Sequence, residues 1–235
     1  MKKYLLRTVV TAILLCLMLC GEAWAGEWHS EKGYWEYAEN GSNVTNQWRT
    51  IDGVDYLFDG SGKLLGDNGY SVDCPPGLLP NTWAETKTQA QKYNKFWQWG
   101  VDLINQTRNE NGVQPLTIDY DLCMAATYRC VEAIVNMNFT HYIGNSLRVD
   151  AVIGPATNRR YVSAVGENIS HRFAWGSRID YEGTNTVRDL DAGLKGSPGH
   201  FKVMTHAPLT KCGIGLAIYP GDDGKVHSVY VQIFE

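Results

Sequence analysis

The hydrophobic and polar positions fall into three regimes along the chain. Val9 to Leu19 is an apolar run. From Trp28 to about Leu65, aromatic and apolar residues alternate with polar ones, the period of a half-buried strand. From Asn94 the period lengthens to 3.6, with Trp97, Val101 and Ile104 at i, i+4 and i+7, which predicts a helix stopped by Asn111-Gly112. A second helix opens at Asp119, a good N-cap, carries Asp121 in its first turn and closes at His141. Its stripe is Leu122, Ala126, Cys130, Ala133 and Met137, with Cys123 at the edge. A third helix is predicted from Thr186 to about Lys195. The chain then reads as a hairpin, Gly213 to Tyr219 and Val226 to Phe234 around Pro220-Gly221-Asp222-Asp223-Gly224. Val229, Val231 and Ile233 are expected to face the core, and Ser228 and Gln232 the other way. Helices followed by strands predict an α+β layer fold.

The apolar run belongs to an address. Lys2, Lys3 and Arg7 precede it and Ala23-Trp24-Ala25 follows as a cleavage site, so residues 1–25 read as a secretory signal peptide. The run is too short to cross a bilayer, which takes about 20 residues, and no second apolar segment follows. The expectation is a secreted, extracellular or wall-associated protein without a transmembrane anchor. A net charge of −4 offers no basic stripe for phosphates, which argues against a nucleic-acid partner.

Residues 26–68 contain two imperfect copies of one unit. Trp28 and Trp48 are each followed by a turn ending in Gly (Lys32-Gly33, Asp52-Gly53), then an aromatic strand, Tyr34-Trp35-Glu36-Tyr37 or Asp55-Tyr56-Leu57-Phe58, and a second turn, Asn40-Gly41 or Asp59-Gly60-Ser61-Gly62. The second copy carries one inserted residue after Gly53. Aromatic and polar alternation bounded by Asn-Gly and Asp-Gly is a hairpin signal. The segment resembles the cell-wall-binding repeats of choline- and glucan-binding surface proteins. That resemblance implies a cell-wall glycan or choline-bearing polymer as partner, with Trp28, Trp35, Tyr37, Trp48, Tyr56 and Phe58 as ligand-binding residues through stacking and cation–π attraction. The competing reading is that these aromatics pack on the following domain. Residues 69–93, punctuated by Cys74-Pro75-Pro76-Gly77 and Pro80, read as a linker, and residues 94–235 as a second domain.

Secretion permits disulfides. Cys123 and Cys130, on one helix, lie about 10 Å apart along its axis, too far to bridge each other. Either could pair with Cys74 or Cys212, or all four could be free buried thiols, the simpler reading for a domain this large.

Three short stretches in 94–235 carry polar residues that look least like packing: Phe139-Thr140-His141, Gly166-Glu167-Asn168 and Ser197-Pro198-Gly199-His200. Ser197 before Pro198 reads as an N-cap, with His200 in the first helical turn. Glu167 reads as a turn residue before a short strand. With Asn105, Arg108, Gly112, Pro115-Leu116, Gly213, Gly215 and Tyr230-Val231-Gln232-Ile233-Phe234, these stretches resemble the CAP superfamily in its bacterial SCP-like branch. The resemblance implies a three-layer α-β-α sandwich with a cleft where His141, Glu167 and His200 converge. Two imidazoles and a carboxylate suit zinc with an open fourth position, as some family members bind it. The family has no common enzymatic activity. The reading is therefore an envelope-associated binding or interaction module. Its alternative is a metal-dependent hydrolase of a peptide or cell-wall bond, with Glu167 as base. Leu194 stands where bacterial members usually have Trp. The second acidic residue of better-known relatives has Asp189 and Asp191 as candidates. His29, His171, His206 and His227 have no partner pattern and read as surface or turn residues.

Overall fold

The computed structural model describes residues 26–31, 33–71, 73–143, 146–147, 152–154, 156 and 166–235; residues 1–25, where a signal peptide is expected, and most of the connection after His141 lie outside them. The chain divides into two compact units, with the boundary between Val44 and Thr45.

The first unit is a three-stranded antiparallel sheet of β1 (Glu27–Glu31), β2 (Tyr34–Glu39) and β3 (Ser42–Asn43). Asn40 and Gly41 join β2 to β3 with φ of 52° and 74°, the double positive φ of a type I′ turn that Asn-Gly favours. Trp28 lies opposite Tyr37. Because strand side chains alternate faces, Trp28, Trp35 and Tyr37 share one face. On the other, Asn43 donates to Glu36 at 2.8 Å and His29 lies 3.1 Å from the Asn43 carbonyl oxygen.

The second unit opens with another three-stranded sheet, β4 (Gln47–Ile51), β5 (Val54–Phe58) and β6 (Leu64–Ser71). A second type I′ turn, Asp52-Gly53 at φ 50° and 80°, joins β4 to β5. Trp48 pairs across the strands with Leu57, so Tyr56 and Phe58 point to the opposite face from Trp48. The six aromatics expected as one ligand-binding set therefore divide three, one and two between faces. The cause is the residue inserted after Gly53, since a slip of one position turns every following side chain over.

Helix α1 (Pro80–Tyr93) occupies most of the span expected as a linker, with Pro80 at its first position rather than prolonging a loop. A 3-10 turn, Asn94–Phe96, leads into α2 (Trp97–Glu110). Strand β7 (Thr117–Ile118) precedes α3 (Tyr120–Val135), which is capped as expected by the Asp119 side chain accepting from Leu122 N–H. Two predicted features of α3 change. It ends at Val135, so His141 lies in the following loop, and Met137 leaves the stripe, exposed and at φ 47°.

Two short strands, β8 (Tyr142–Ile143) and β9 (Ser146–Leu147), pair with each other, and the central sheet has the order β10 (Gly166–Ala174), β12 (Val226–Phe234), β11 (Lys211–Pro220), β7. β10, β12 and β11 are antiparallel neighbours, with β7 parallel at the edge. A Cβ at Gly213 or Gly215 would strike the backbone of α3 at Leu122 or Ala126; their missing side chains let α3 lie directly on this face. The opposite face of β11 carries Ile214 against Gly100 of α2, and Gln232 of β12 reaches Asp191 of α4 (Thr184–Gly196). Helices thus cover both faces, giving the α+β three-layer sandwich. Every residue of β12 is consequently buried, Ser228 and Gln232 included.

Asn105 holds Leu116 through two hydrogen bonds, at 2.7 and 2.9 Å. Fully buried Arg108 donates to the carbonyls of Gln114, Met204, His206 and Leu209. These bonds tie α2 to the end of helix α5 (Pro198–Met204), which carries His200. All four described cysteines are free thiols. Cys123, Cys130 and Cys212 are buried, and burial raises each thiol pKa, to about 12 for Cys212.

Candidate functional site

Strand β10 divides the site between its two faces. Glu167 pairs across the sheet with Ile233 and shares the α3 face, whereas Asn168 pairs with Gln232 and shares the α4 face. Glu167 is thus the second residue of a nine-residue strand, not part of a turn.

On the α3 face, Glu167 Oε1 lies 2.9 Å from His141 Nδ1, and its Oε2 accepts from Arg129 Nε at 3.2 Å. Arg129 also donates to the Thr140 carbonyl at 2.7 Å, fixing the loop that presents His141, and lies 3.8 Å from Glu132. The Glu167 side chain is 0% exposed and that of His141 32%. It is the Nδ1 side of the His141 ring that faces the carboxylate, and Nε2 takes no part in that contact.

The second imidazole comes from α5. Ser197 occupies the N-cap position, but its side chain makes no capping hydrogen bond. The rings of His200 and His141 meet edge-on, 5.8 Å between centres. Burial, and secondarily His141, lowers the His200 pKa. Its Nδ1 is buried without a protein partner. On the α4 face, Asn168 donates to the His200 carbonyl at 3.1 Å and to Gln232 at 3.0 Å, and Gln232 donates to Asp191 at 2.8 Å. Asp191 is therefore joined to the site through two amides. Its pKa is raised to about 6, mainly by burial. Asp189 instead pairs with Arg172 at the surface, and Leu194 is buried on α4.

The structure thus brings His141, Glu167 and His200 together, but not as a three-ligand metal set; among the described residues no three His, Cys, Asp or Glu side chains are arranged to hold an ion. Glu167 already faces an imidazole and a guanidinium, and the guanidinium supplies the positive charge a cation would bring. The residues as placed do not fit zinc held by all three. As placed, the Glu167 carboxylate is buried and faces Arg129 on one oxygen and His141 on the other.

Arg129 went unread in the sequence although a signal was present. It falls three residues after Ala126 and seven after Leu122, on the buried stripe of α3, where a charge needs a partner. A second polar chain was missed entirely. His171 Nε2 lies 2.8 Å from His227 Nδ1, and His227 Nε2 lies 2.9 Å from Asp223. Phe139 stacks on His171 at 3.7 Å. His227 is fully buried. His171 is pushed down to about 4 by burial and then by His227, and the His227 hydrogen bond holds Asp223 below the usual carboxylate range. Cross-strand pairing creates this chain, which no local spacing announces.

The model of the CAP, or cysteine-rich secretory protein, family matches residues 101–234, more than half of the chain, and the chain belongs to that family. Among solved structures it is similar to an extracellular protein containing an SCP domain from Bacillus anthracis, at 15% identity over 89% of this chain and 66% of that one, TM-score 0.41. It is also similar to an outer surface protein of Borrelia burgdorferi, at 15% identity over 57% and 87%, TM-score 0.37. A cysteine-rich secretory protein of Staphylococcus aureus is similar at 13% identity over 88% and 66%, TM-score 0.35. No curated protein matches at a significant level. No described helix is long and apolar enough to cross a membrane.

Proposed function

We propose that this chain is a secreted, envelope-associated binding module. Its first hairpin would attach it to a wall glycan or choline-bearing polymer, while its CAP unit offers the His141 and His200 pair to a polar ligand. The observation that carries the reading is the sealing of Glu167 beneath Arg129. It leaves imidazole nitrogens, which bind and donate, as the accessible chemistry, in place of the exposed carboxylate that hydrolysis of a wall or peptide bond would require. Attachment is supported by Trp28, Trp35 and Tyr37 on one face, with Trp28 and Trp35 edge-on at 6.5 Å, Trp28 and Tyr37 at 5.0 Å, and Trp35 50% exposed. Such a group can stack on a sugar or face an ammonium.

The test is cosedimentation of the mature chain with purified cell walls, with and without free choline and a chelator. Retention that drops in Trp28→Ala/Trp35→Ala and persists in the chelator is expected. Equal retention by this variant would make the first hairpin a packing element. Release or cleavage of wall material that stops in the chelator would restore the hydrolase.

A further inference from the structure

At the opposite end of β10 from Glu167, the chain lines a groove of about 530 Å³ with Arg172, Phe173, Trp175, Arg178, Asn185 and Asp189 among its walls. That size suits a small ligand. Trp175 is 56% exposed and Phe173 nearly as much, unusual for rings that are mostly buried in folded chains. Both rings are held in place. Lys225, outside the lining, sets its ammonium 4.6 Å from the centre of Phe173 and 5.6 Å from that of Trp175, and is itself 3.0 Å from Asp223.

The polar floor is ordered too. Arg172 donates to Asp189 Oδ2 at 2.8 Å and to Thr186 Oγ1, while the Thr186 N–H donates to Asp180 at 2.8 Å. These bonds engage one oxygen of Asp189 and leave Oδ1. The Asn185 carbonyl accepts from Arg188, whereas its amide NH₂ and the guanidinium of Arg178 have no protein partner among the described residues. A flat aromatic face beside a carboxylate oxygen, an amide donor and a guanidinium matches a pyranose ring. Its C–H face covers the indole, and its hydroxyls donate to the carboxylate and accept from the nitrogens. A polyphosphate would meet Asp180 and Asp189, and an acyl chain would strip the polar groups of water without replacing it.

We propose that this groove binds one sugar ring of a glycan, stacked on Trp175 and read by Arg178, Asn185 and Asp189. The inference goes beyond the attachment reading above, which concerns the first hairpin. The test is calorimetric titration of the mature chain with tetramers of glucose, N-acetylglucosamine and galacturonate. It is repeated on Trp28→Ala/Trp35→Ala, alone and with Trp175→Ala or Asp189→Asn added. Expected is saturable binding of at least one tetramer by the Trp28→Ala/Trp35→Ala chain, in which the first hairpin no longer contributes, and tenfold or more weaker binding when Trp175→Ala or Asp189→Asn is added to it. No saturable binding by the Trp28→Ala/Trp35→Ala chain, or binding by that chain that survives the addition of Trp175→Ala, overturns the proposal. So does a loss confined to the hairpin variant, which would place sugar binding in the first hairpin instead. Because Trp175 and Asp189 are exposed, equal melting temperatures will show that both variants are folded.

Discussion

The two copies of the aromatic repeat use nearly the same residues to opposite ends. In the first, Trp28 and Tyr37 are cross-strand partners and Trp35 shares their face, half exposed. In the second, Leu57 takes the place opposite Trp48, and Phe58, on the other face, is 0% exposed. Trp48 donates its indole N–H to the Lys87 carbonyl on α1, and Lys87 pairs with buried Asp55 at 2.8 Å. One copy keeps aromatic surface available, whereas in the other Leu57 joins the core of the larger unit, Trp48 packs against that core and Phe58 is buried. The only covalent difference needed to turn the pattern over is a single inserted residue.

The largest expected effect comes from altering that residue. Deleting Val54 should force Leu57 and Phe58 out of register and abolish cooperative unfolding of the larger unit in urea, since each buried ring or branched side chain is worth about 2–5 kcal/mol. Adding a valine after Gly33 should leave that transition in place and abolish only wall retention. A smaller version of the contrast is Phe58→Ala, expected to cost about 3–5 kcal/mol, against Trp35→Ala, expected within about 0.5 kcal/mol as an exposed change. Chemical denaturation measures both, and equal costs would break the comparison.

Smaller still is the pH response of the larger unit. His171 falls to about 4 when folded, so the unfolded chain binds more protons between about 4 and its ordinary value near 6.5, and stability rises with pH across that window. Asp191 is raised to about 6, so the folded chain binds more protons between about 3.8 and 6, and stability falls with pH there. The two slopes oppose each other. Asp191→Asn keeps an acceptor for Gln232 and removes one slope. Its melting temperature should climb more steeply from pH 4 to 6, ending about 1–3 kcal/mol more stable at pH 7. A profile parallel to the unmodified chain would show that Asp191 does not hold its proton. A small effect is also expected of His141→Ala, where Glu167 keeps its arginine. A loss under about 1 kcal/mol is expected, whereas Arg129→Ala, which leaves the buried Glu167 carboxylate without its guanidinium, should cost about 3–5 kcal/mol.

What could be read in advance was local. The type I′ turns, the Asp119 cap, the α2 stripe and the closing hairpin each depend on residues within a few positions of one another. The convergence of His141, Glu167 and His200 was not spelled by spacing and came from resemblance to a family. Arg129 and the His171, His227 and Asp223 chain are products of sheet register and helix docking, which bring together side chains 38 and 56 residues apart. The α1 helix was hidden by Pro80, whose breaker role inside a helix becomes a starter role at its first turn.

The sheet order has a consequence for how the protein is made. β12 lies between β10 and β11, although it is synthesised after both. While the nascent chain lengthens, β10 has no sheet neighbour among the described strands and must wait for Val226 to Phe234 to arrive. The floor under His141 and His200 is thus among the last parts to form. A ribosome stalled before Val226 would release a chain with helices and hairpins but no cleft, its β10 edge open to other chains. That delay keeps the sheet from closing until most of the chain has been made.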